Sequence, residues 1–342
     1  MRILLVGNPT AQSGKNKERI EAALDEFLAR GVEAELVTTE PEGRTIPKVR
    51  ERIDHTSCDV VVYMGGDGTF REVAAAVVLA ERDVPMGMLP SGTANDQGKS
   101  FGIRSGAARL EENIDVVLQG CIQRIDGGRI VACDDAGAPV DEALFFDSAG
   151  FGMHPAILMG RNRDRELVAR IPLLGSVYRD QAVYVGAAIR EALRSYVGPS
   201  SFEAHVTADG VEHRFDGLTD LIVKGTPVYG GIWVPARDGA PDDGLFDVIP
   251  LRGRTDMVAK LIRDWKDLPV DPGPISWLGL TYEGGFAAAE FDIELVGPLG
   301  RPIPSQIDGE EWLAGSRFRI QVLKQALPLI VRRDWLAPWA TG

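Results

Sequence analysis

The residues able to do chemistry gather in three loops and one late turn. Met64-Gly65-Gly66-Asp67-Gly68-Thr69 follows an apolar run and opens a helical period. Its three glycines let the backbone approach a ligand closely, and the free N–H groups at a helix start favour phosphate oxygens. Asp67 is an anion in a place suited to anions, which makes sense if a cation such as Mg²⁺ lies between it and a phosphate. The same residues also suit a plain strand-to-helix turn capped by Asp67 and Thr69. A second loop, Leu89 to Asp96, repeats the logic with hydroxyls, an amide and a carboxylate, all equally at home in a capped loop. A third, Asn8 to Lys15, only superficially resembles a P-loop, because Asn16 follows Gly14-Lys15 where Ser or Thr is required. Asp308-Gly309-Glu310 places carboxylates at i and i+2, either on one strand face or around a turn. A carboxylate there can take a hydroxyl proton; the tripeptide is equally an ordinary hairpin tip with solvated charges.

The loops need a frame that brings them to one edge. Ile3–Val6 is an apolar run ending in Gly7-Asn8-Pro9, and Ile20, Ala23, Leu24, Phe27 and Leu28 then share one helix face, with Gly31 placed to end that helix. Ala34–Thr38 reads as a strand, Thr45–Ile53 as a helix with Pro47 in its first turn, and Val60–Met64 as a buried parallel strand. A helix around Glu72–Ala80 and a strand Met86–Leu89 follow. This alternation implies an open parallel sheet, whose loops emerge at the carboxyl ends of the strands, where such sheets bind ligands.

Near Gly127-Gly128 the pattern changes to short strands with turn signals. Phe202, Ala204 and Val206 alternate with polar positions, Asp209-Gly210 makes a hairpin turn, and Val211, His213 and Phe215 resume the alternation. Further strands are expected at Leu221–Lys224, Phe246–Pro250, Phe291–Val296 and Arg317–Leu323, helices at Ser176–Tyr196 and Thr255–Trp265, and a hairpin loop at Asp134–Pro139. Residues from about 129 to 320 therefore read as a mainly antiparallel β unit.

Composition excludes several classes. The 342 residues carry 50 Asp and Glu against 37 Lys and Arg, a net charge of −13. Such a chain has no long-range attraction to nucleic acid, and its field repels an anionic membrane unless a local basic patch intervenes. No uncharged stretch is long enough to span a bilayer, and the first residues read as a strand rather than a signal peptide. Cys58, Cys121 and Cys133 are odd in number and lack metal spacing, so they read as core thiols of a cytoplasmic protein. Four His without ligand spacing argue against a zinc hydrolase.

Gly-Gly-Asp-Gly-Thr at residues 65–69, followed by Gly92-Thr93-Ala94-Asn95-Asp96, resembles the diacylglycerol kinase catalytic domain family, which includes soluble bacterial lipid kinases and sphingosine kinases. Two later segments share the resemblance: Gly230-Gly231 through Pro235 to Asp242-Asp243-Gly244-Leu245 and Asp247, and Gln306-Ile307-Asp308-Gly309-Glu310. The first motif alone is shared with NAD kinases; the four in order are specific.

The resemblance implies a Rossmann-like α/β nucleotide domain over residues 1–128, with 321–342 packing back on it, and a β-sandwich acceptor domain over 129–320. It implies an ATP pocket formed by Asn8, Thr38, Gly65, Gly66, Asp67, Gly68, Thr69, Phe70, Arg71, Gly92, Thr93, Asn95 and Asp96. Mg²⁺ would be oriented by Asp67 and Asp96, and a second Mg²⁺ held by Asp243 with the carbonyls of Ala240 and Leu245. Asp308 and Glu310 would face the acceptor hydroxyl, either of them as the base. The implied activity is transfer of the ATP γ-phosphate to a diacylglycerol-like or sphingoid-like lipid, with NAD as the alternative acceptor and an inactive regulator as the non-enzymatic alternative. The family includes dimers, so a homodimer is allowed.

Three places depart from the family's common pattern: Arg71 where Asn is frequent, Gln97-Gly98-Lys99 where an apolar residue and then Ala-Arg are usual, and Met153-His154 where Asp-Ala is frequent. His154 itself reads as a satisfied histidine in a turn. Residues 161–179 carry five arginines against Asp164 and Glu166, around the apolar Ile171-Pro172-Leu173-Leu174-Gly175. That composition suits a peripheral contact with an anionic membrane surface, and equally a solvated helix with a core-facing Leu pair.

Overall fold

The computed structural model describes residues 1–10, 15–92, 94–156, 201–228, 240–252 and 285–333. Thr93, the arginine-rich segment 161–179, the glycine pair Gly230-Gly231, and the helices expected over Ser176–Tyr196 and Thr255–Trp265 lie outside those residues.

The first part of the chain alternates as its periodicity requires: β1 (Arg2–Gly7), α1 (Lys15–Ala29), β2 (Glu33–Thr38), α2 (Thr45–His55), β3 (Val60–Gly65), α3 (Asp67–Leu79) and β4 (Met86–Pro90). The strands lie parallel in the order β2-β1-β3-β4. Ile3, Leu4, Leu5, Val61 and Val62 are fully buried, as strands covered by helices on both faces must be. Helix α3 begins at Asp67, earlier than its apolar period shows, because the glycine-rich residues form its first turn: the Phe70 N–H donates to the Gly66 carbonyl at 3.0 Å. Two more helices follow, the short α4 (Asp96–Ser100) and α5 (Leu110–Gln119), which packs on β4 and which the apolar spacing did not single out.

The remaining described strands are β5 (Ile122–Cys133), β6 (Pro139–Phe145), β7 (Ser148–Gly152), β8 (Phe202–Ala208), β9 (Val211–Leu218), β10 (Asp220–Lys224), β11 (Phe246–Leu251), β12 (Phe286–Ala288), β13 (Glu290–Val296), β14 (Ile303–Ile307), β15 (Glu310–Gly315) and β16 (Arg317–Ile330). One antiparallel sheet runs β12-β11-β10-β7-β14-β15. It faces β5, β8, β13 and β16 across a shared apolar core. Phe151 of β7 and Phe318 of β16 meet there with ring centroids 4.7 Å apart. Each such fully buried side chain contributes roughly 1.5–3 kcal/mol.

The strand expected over Arg317–Leu323 continues to Ile330, and it pairs with β5 along nearly its whole length. A register shift between Leu323 and Leu327, with Gln325 at φ +52°, bends this ribbon. Beyond the bend, Leu329 pairs in parallel with Met86 of β4, and Leu327, Leu329 and Ile330 join the core of the parallel sheet. Before it, β16 pairs with β13 and gives Phe318 and Ile320 to the other core. The β5–β16 ribbon thus fixes the glycine loops relative to the antiparallel sheets. All three cysteines are free, and among the described residues no helix is long and apolar enough to cross a membrane.

Candidate active site

The parallel strands deliver three loop origins to one edge: Gly7, Thr38 and Met64 are register partners at the carboxyl ends of β1, β2 and β3. The Asn8 side-chain oxygen accepts the Thr10 N–H at 2.9 Å and the Thr10 hydroxyl at 2.7 Å. Asn16, which breaks the P-loop spacing, has a structural task of its own. Nearly inaccessible, it donates its amide to the Asn8 carbonyl at 2.7 Å and accepts the Ser91 hydroxyl at 3.2 Å, tying the Asn8 loop to the loop that follows β4. At the end of β2, Lys48 Nζ donates to the Thr38 carbonyl at 2.9 Å and lies 2.9 Å from Glu40.

The second loop is built against the first. The N–H groups of Ser91 and Gly92 both donate to the Gly65 carbonyl, at 2.7 and 3.1 Å. Asn95, buried and at φ +52°, accepts the Gly92 N–H at 2.8 Å and donates to the Gly92 carbonyl at 2.7 Å. Gly92 must be glycine, because a Cβ there would lie 2.5 Å from the Gly66 Cα. Asp67 Oδ1 accepts the Gln97 N–H at 3.3 Å. Burial, and then the neighbouring Asp147 carboxylate, push the Asp67 carboxyl above its ordinary range, against the pull of the N–H groups of Gln97, Asn95 and Asp96. Phe70 gives its ring to the core, edge-on to Tyr63 and Phe146, so its side chain does not line the loop. Gln97, 1% exposed, has neither amide atom hydrogen-bonded.

The late turn separates the two carboxylates that the sequence leaves equivalent. Asp308 (φ +49°) and Gly309 (φ +78°) form the tight connection between β14 and β15. Asp308 is 3% exposed, and its carboxyl accepts the N–H groups of Phe146, Asp147 and Ser148 at 2.7–3.1 Å. Gln306 braces the turn, accepting the Gly309 N–H at 2.6 Å and donating to the Ser148 hydroxyl at 3.3 Å. Burial and the Asp147 charge push the Asp308 carboxyl up to about 7, outweighing Arg71 and the backbone donors. Glu310 is half-exposed and points the other way. Its Oε2 lies 2.8 Å from Arg71 Nη2, and its Oε1 lies against Gly68, where a Cβ would approach it to 2.1 Å.

Behind Asp308 lies a buried pair that sequence reading missed. Lys224, wholly inaccessible at the end of β10, is ion-paired with Asp147, which also accepts the hydroxyls of Thr226 at 2.5 Å and Ser148 at 2.9 Å. A lysine closing an apolar strand looks like a surface residue; only the sheet shows that its partner stands at the start of the neighbouring strand β7, where Lys224 is in register with Ser148.

The hydrogen bonds of the 240–245 loop go elsewhere. Asp126, 2% exposed, accepts the N–H groups of Gly244 and Gln325, each at 2.6 Å. Asp243 Oδ1 accepts the Leu245 N–H at 2.8 Å, and Lys324 donates to the Asp243 carbonyl at 3.0 Å. The structure thus gathers Asp243, with its neighbours Ala240 and Leu245, at the bend of the β5–β16 ribbon. His154 sits against Asp220: Nδ1 lies 3.0 Å from Asp220 Oδ1, which also accepts the His154 backbone N–H at 2.7 Å. Against burial, which lowers it, Asp220 holds the imidazole above its ordinary value.

Among the described residues, no three His, Cys, Asp or Glu side chains converge as a ready-made metal cage. A Mg²⁺ ion uses one or two carboxylates together with substrate phosphates and waters, not a dedicated protein cage. Asp67 supplies a hard carboxylate oxygen, and a divalent cation beside it would offset both its burial and the charge of Asp147. The donors at Asp243, Ala240 and Leu245 are likewise a carboxylate and carbonyl oxygens, and they fit the same ion by type.

Residues 2–130 match the family model of the diacylglycerol kinase catalytic domain. The diacylglycerol kinase of Mycobacterium tuberculosis is 30% identical over 205 residues, 60% of this chain and 58% of that protein. That of Staphylococcus aureus is 29% identical over 129 residues, 38% of this chain and 40% of that one. The match thus spans about half the length of these relatives. In fold, the chain is similar to a diacylglycerol kinase of Bacillus anthracis, with TM-score 0.66, 16% identity and 98% of each chain covered. It is also similar to yeast NADH kinase, solved in complex with NADH, with TM-score 0.53, 9% identity, and 99% of this chain and 86% of that chain covered.

Proposed function

We propose, for a chain whose residues 2–130 match the diacylglycerol kinase catalytic domain, that it transfers the γ-phosphate of ATP to a hydroxyl of a diacylglycerol-like or sphingoid-like lipid, with Mg²⁺. The observation that carries this reading is the meeting of Glu310 with Gly68 and Arg71. It brings the one half-exposed carboxylate of the late turn to the loop suited to phosphates.

In this reading, residues 1–128 with 321–342 hold the nucleotide and 129–320 hold the acceptor. The backbone of Gly65–Thr69, with Gly92, Thr93, Asn95 and Asp96, cradles the phosphates, while Asn8 and Thr38 border the nucleotide at the ends of β1 and β2. Asp67 and Asp96 would hold the Mg²⁺ that offsets phosphate charge, and Asp243, Ala240 and Leu245 a second ion that steadies the ribbon. Glu310 serves as the base. It takes the acceptor's O–H proton as that oxygen bonds the γ-phosphorus, and the bond to the β,γ-bridging oxygen breaks with its electron pair leaving on ADP. Asp308 serves as the post that sets the turn, since all the described hydrogen bonds of its carboxyl come from backbone N–H groups.

The lipid is reached at a membrane surface from the cytoplasmic side, with residues 161–179 as the contact. The likeness in fold to yeast NADH kinase supports a second reading, with NAD as acceptor. Incubation with γ-labelled ATP, Mg²⁺ and a total lipid extract tests the first: label should enter the organic phase. Transfer to NAD alone would favour the second.

A further inference from the structure

We infer that Arg71 is a shared cation: it holds the Glu310 carboxylate and exchanges it for the terminal phosphate of the donor, so that Glu310 turns to the acceptor hydroxyl only when that phosphate is in place. The inference rests on the kinase reading and deepens it.

Three observations converge. The first is where Glu310 lies. Its Oε1 is against Gly68, in the first turn of α3, and its Oε2 is 2.8 Å from the guanidinium. A helix start and an arginine are together an oxyanion site. A carboxylate and a phosphate seeking the same donors compete for them.

The second is the state of Arg71. Its side chain is 18% exposed, and its Nε is buried with no hydrogen-bond partner, while Nη2 serves Glu310. A guanidinium is a rigid fork of five donors suited to bidentate contact with phosphate. One carboxylate oxygen leaves part of that fork unused.

The third is the difference in freedom between the partners. Arg71 stands on α3, next to the fully buried Phe70 and near the buried Val73. Glu310 is 51% exposed and follows a two-residue turn, so its side chain can swing by rotamer change alone. The more highly charged phosphate takes the fixed cation, and the mobile carboxylate leaves. A carboxylate held against Arg71 and Gly68 is turned away from the acceptor hydroxyl, and release from them leaves it free to reach that hydroxyl. Donor binding therefore switches the base on. Arg71 is a phosphate contact and, through Glu310, a positioning residue.

A double-mutant cycle on nucleotide affinity tests this, using Glu310→Gln, Arg71→Met and the double variant. Dissociation constants for ATP and for ADP are measured with Mg²⁺ and without acceptor. Glu310→Gln should tighten ATP binding by about tenfold when Arg71 is present, and by less than about twofold in the Arg71→Met background, a coupling in the usual range for contacting pairs. ADP, which lacks the competing phosphate, should respond to Glu310→Gln in neither background. Equal tightening of ATP in both backgrounds would mean that Glu310 merely repels phosphate, and would overturn the inference, as would no tightening in either. If Arg71→Met does not fold, Arg71→Lys closes the cycle with a coupling between these limits, since a point charge holds one oxyanion but lacks the fork. Wild-type protein that binds neither nucleotide would remove the kinase reading itself, and the inference with it.

Discussion

Gly68 and Glu310 stand so close that no side chain fits between them: a Cβ on Gly68 would lie 2.1 Å from Glu310 Oε1. The obstacle is the end of a flexible side chain, so Gly68→Ala should displace the carboxylate and leave the fold intact. A melting temperature within a few degrees of wild type, with phosphotransfer retained where Glu310→Gln loses it, is the expected outcome, because the displaced carboxylate is still free to reach the acceptor. For Glu310→Gln, which removes the general base, the loss is roughly 10²–10⁴-fold in kcat. Gly92→Ala differs, because its Cβ would meet the Gly66 backbone at 2.5 Å. That variant should lose stability as well as activity. Near-native turnover of Glu310→Gln would mean that Glu310 is not the base.

Asp67→Asn keeps an oxygen to accept the Gln97 N–H and removes only the charge. It should fold with near-native thermal stability and lose phosphotransfer at any Mg²⁺ concentration. Recovery of turnover at saturating Mg²⁺ would show that the charge is not needed at that position.

The pH dependence of stability follows from Asp308, whose carboxyl is pushed up to about 7 by burial and by Asp147. In the unfolded chain an aspartate titrates near about 3.9. Between these values the native chain holds a proton that the unfolded chain has released. The stability this proton contributes is full below about pH 4 and is lost as pH rises towards 7. Asp308→Asn should therefore flatten the melting temperature between about pH 4 and pH 7 relative to wild type. An unchanged slope in the variant would place the titration elsewhere.

Gln97 is 1% exposed with both amide atoms unbonded. A buried polar group without partners costs about 1–3 kcal/mol, and an apolar residue of similar shape removes the cost. Gln97→Leu should raise the denaturation midpoint by the equivalent of about 1 kcal/mol. A lower midpoint would show that the amide has a partner in solution.

The parts legible in the sequence were those written locally. The apolar run of β3 and the glycines after it define a strand, a turn and a helix start without help from elsewhere. What stayed hidden depends on partners far along the chain. Asp308 and Glu310 look alike in sequence, and they part because Asp308 meets the Phe146–Ser148 backbone while Glu310 meets Arg71. The strand expected to stop at Leu323 runs on to Ile330, because the bend at Gln325 lets it leave one core and enter the other. Lys224 is invisible as a buried charge until β10 is laid in its sheet and Thr226 and Asp147 close around it. Gly92 and Gly66 look like independent turn residues until the two loops are stacked.

The central claim, that a lipid hydroxyl receives the phosphate, is tested most directly by offering both acceptors at once. γ-Labelled ATP and Mg²⁺ are incubated with a total lipid extract and NAD, using wild type and Glu310→Gln side by side. The account predicts label in the organic phase with wild type and a near-complete loss of it with the variant. Label confined to NAD, or organic-phase label that Glu310→Gln leaves unchanged, would contradict it.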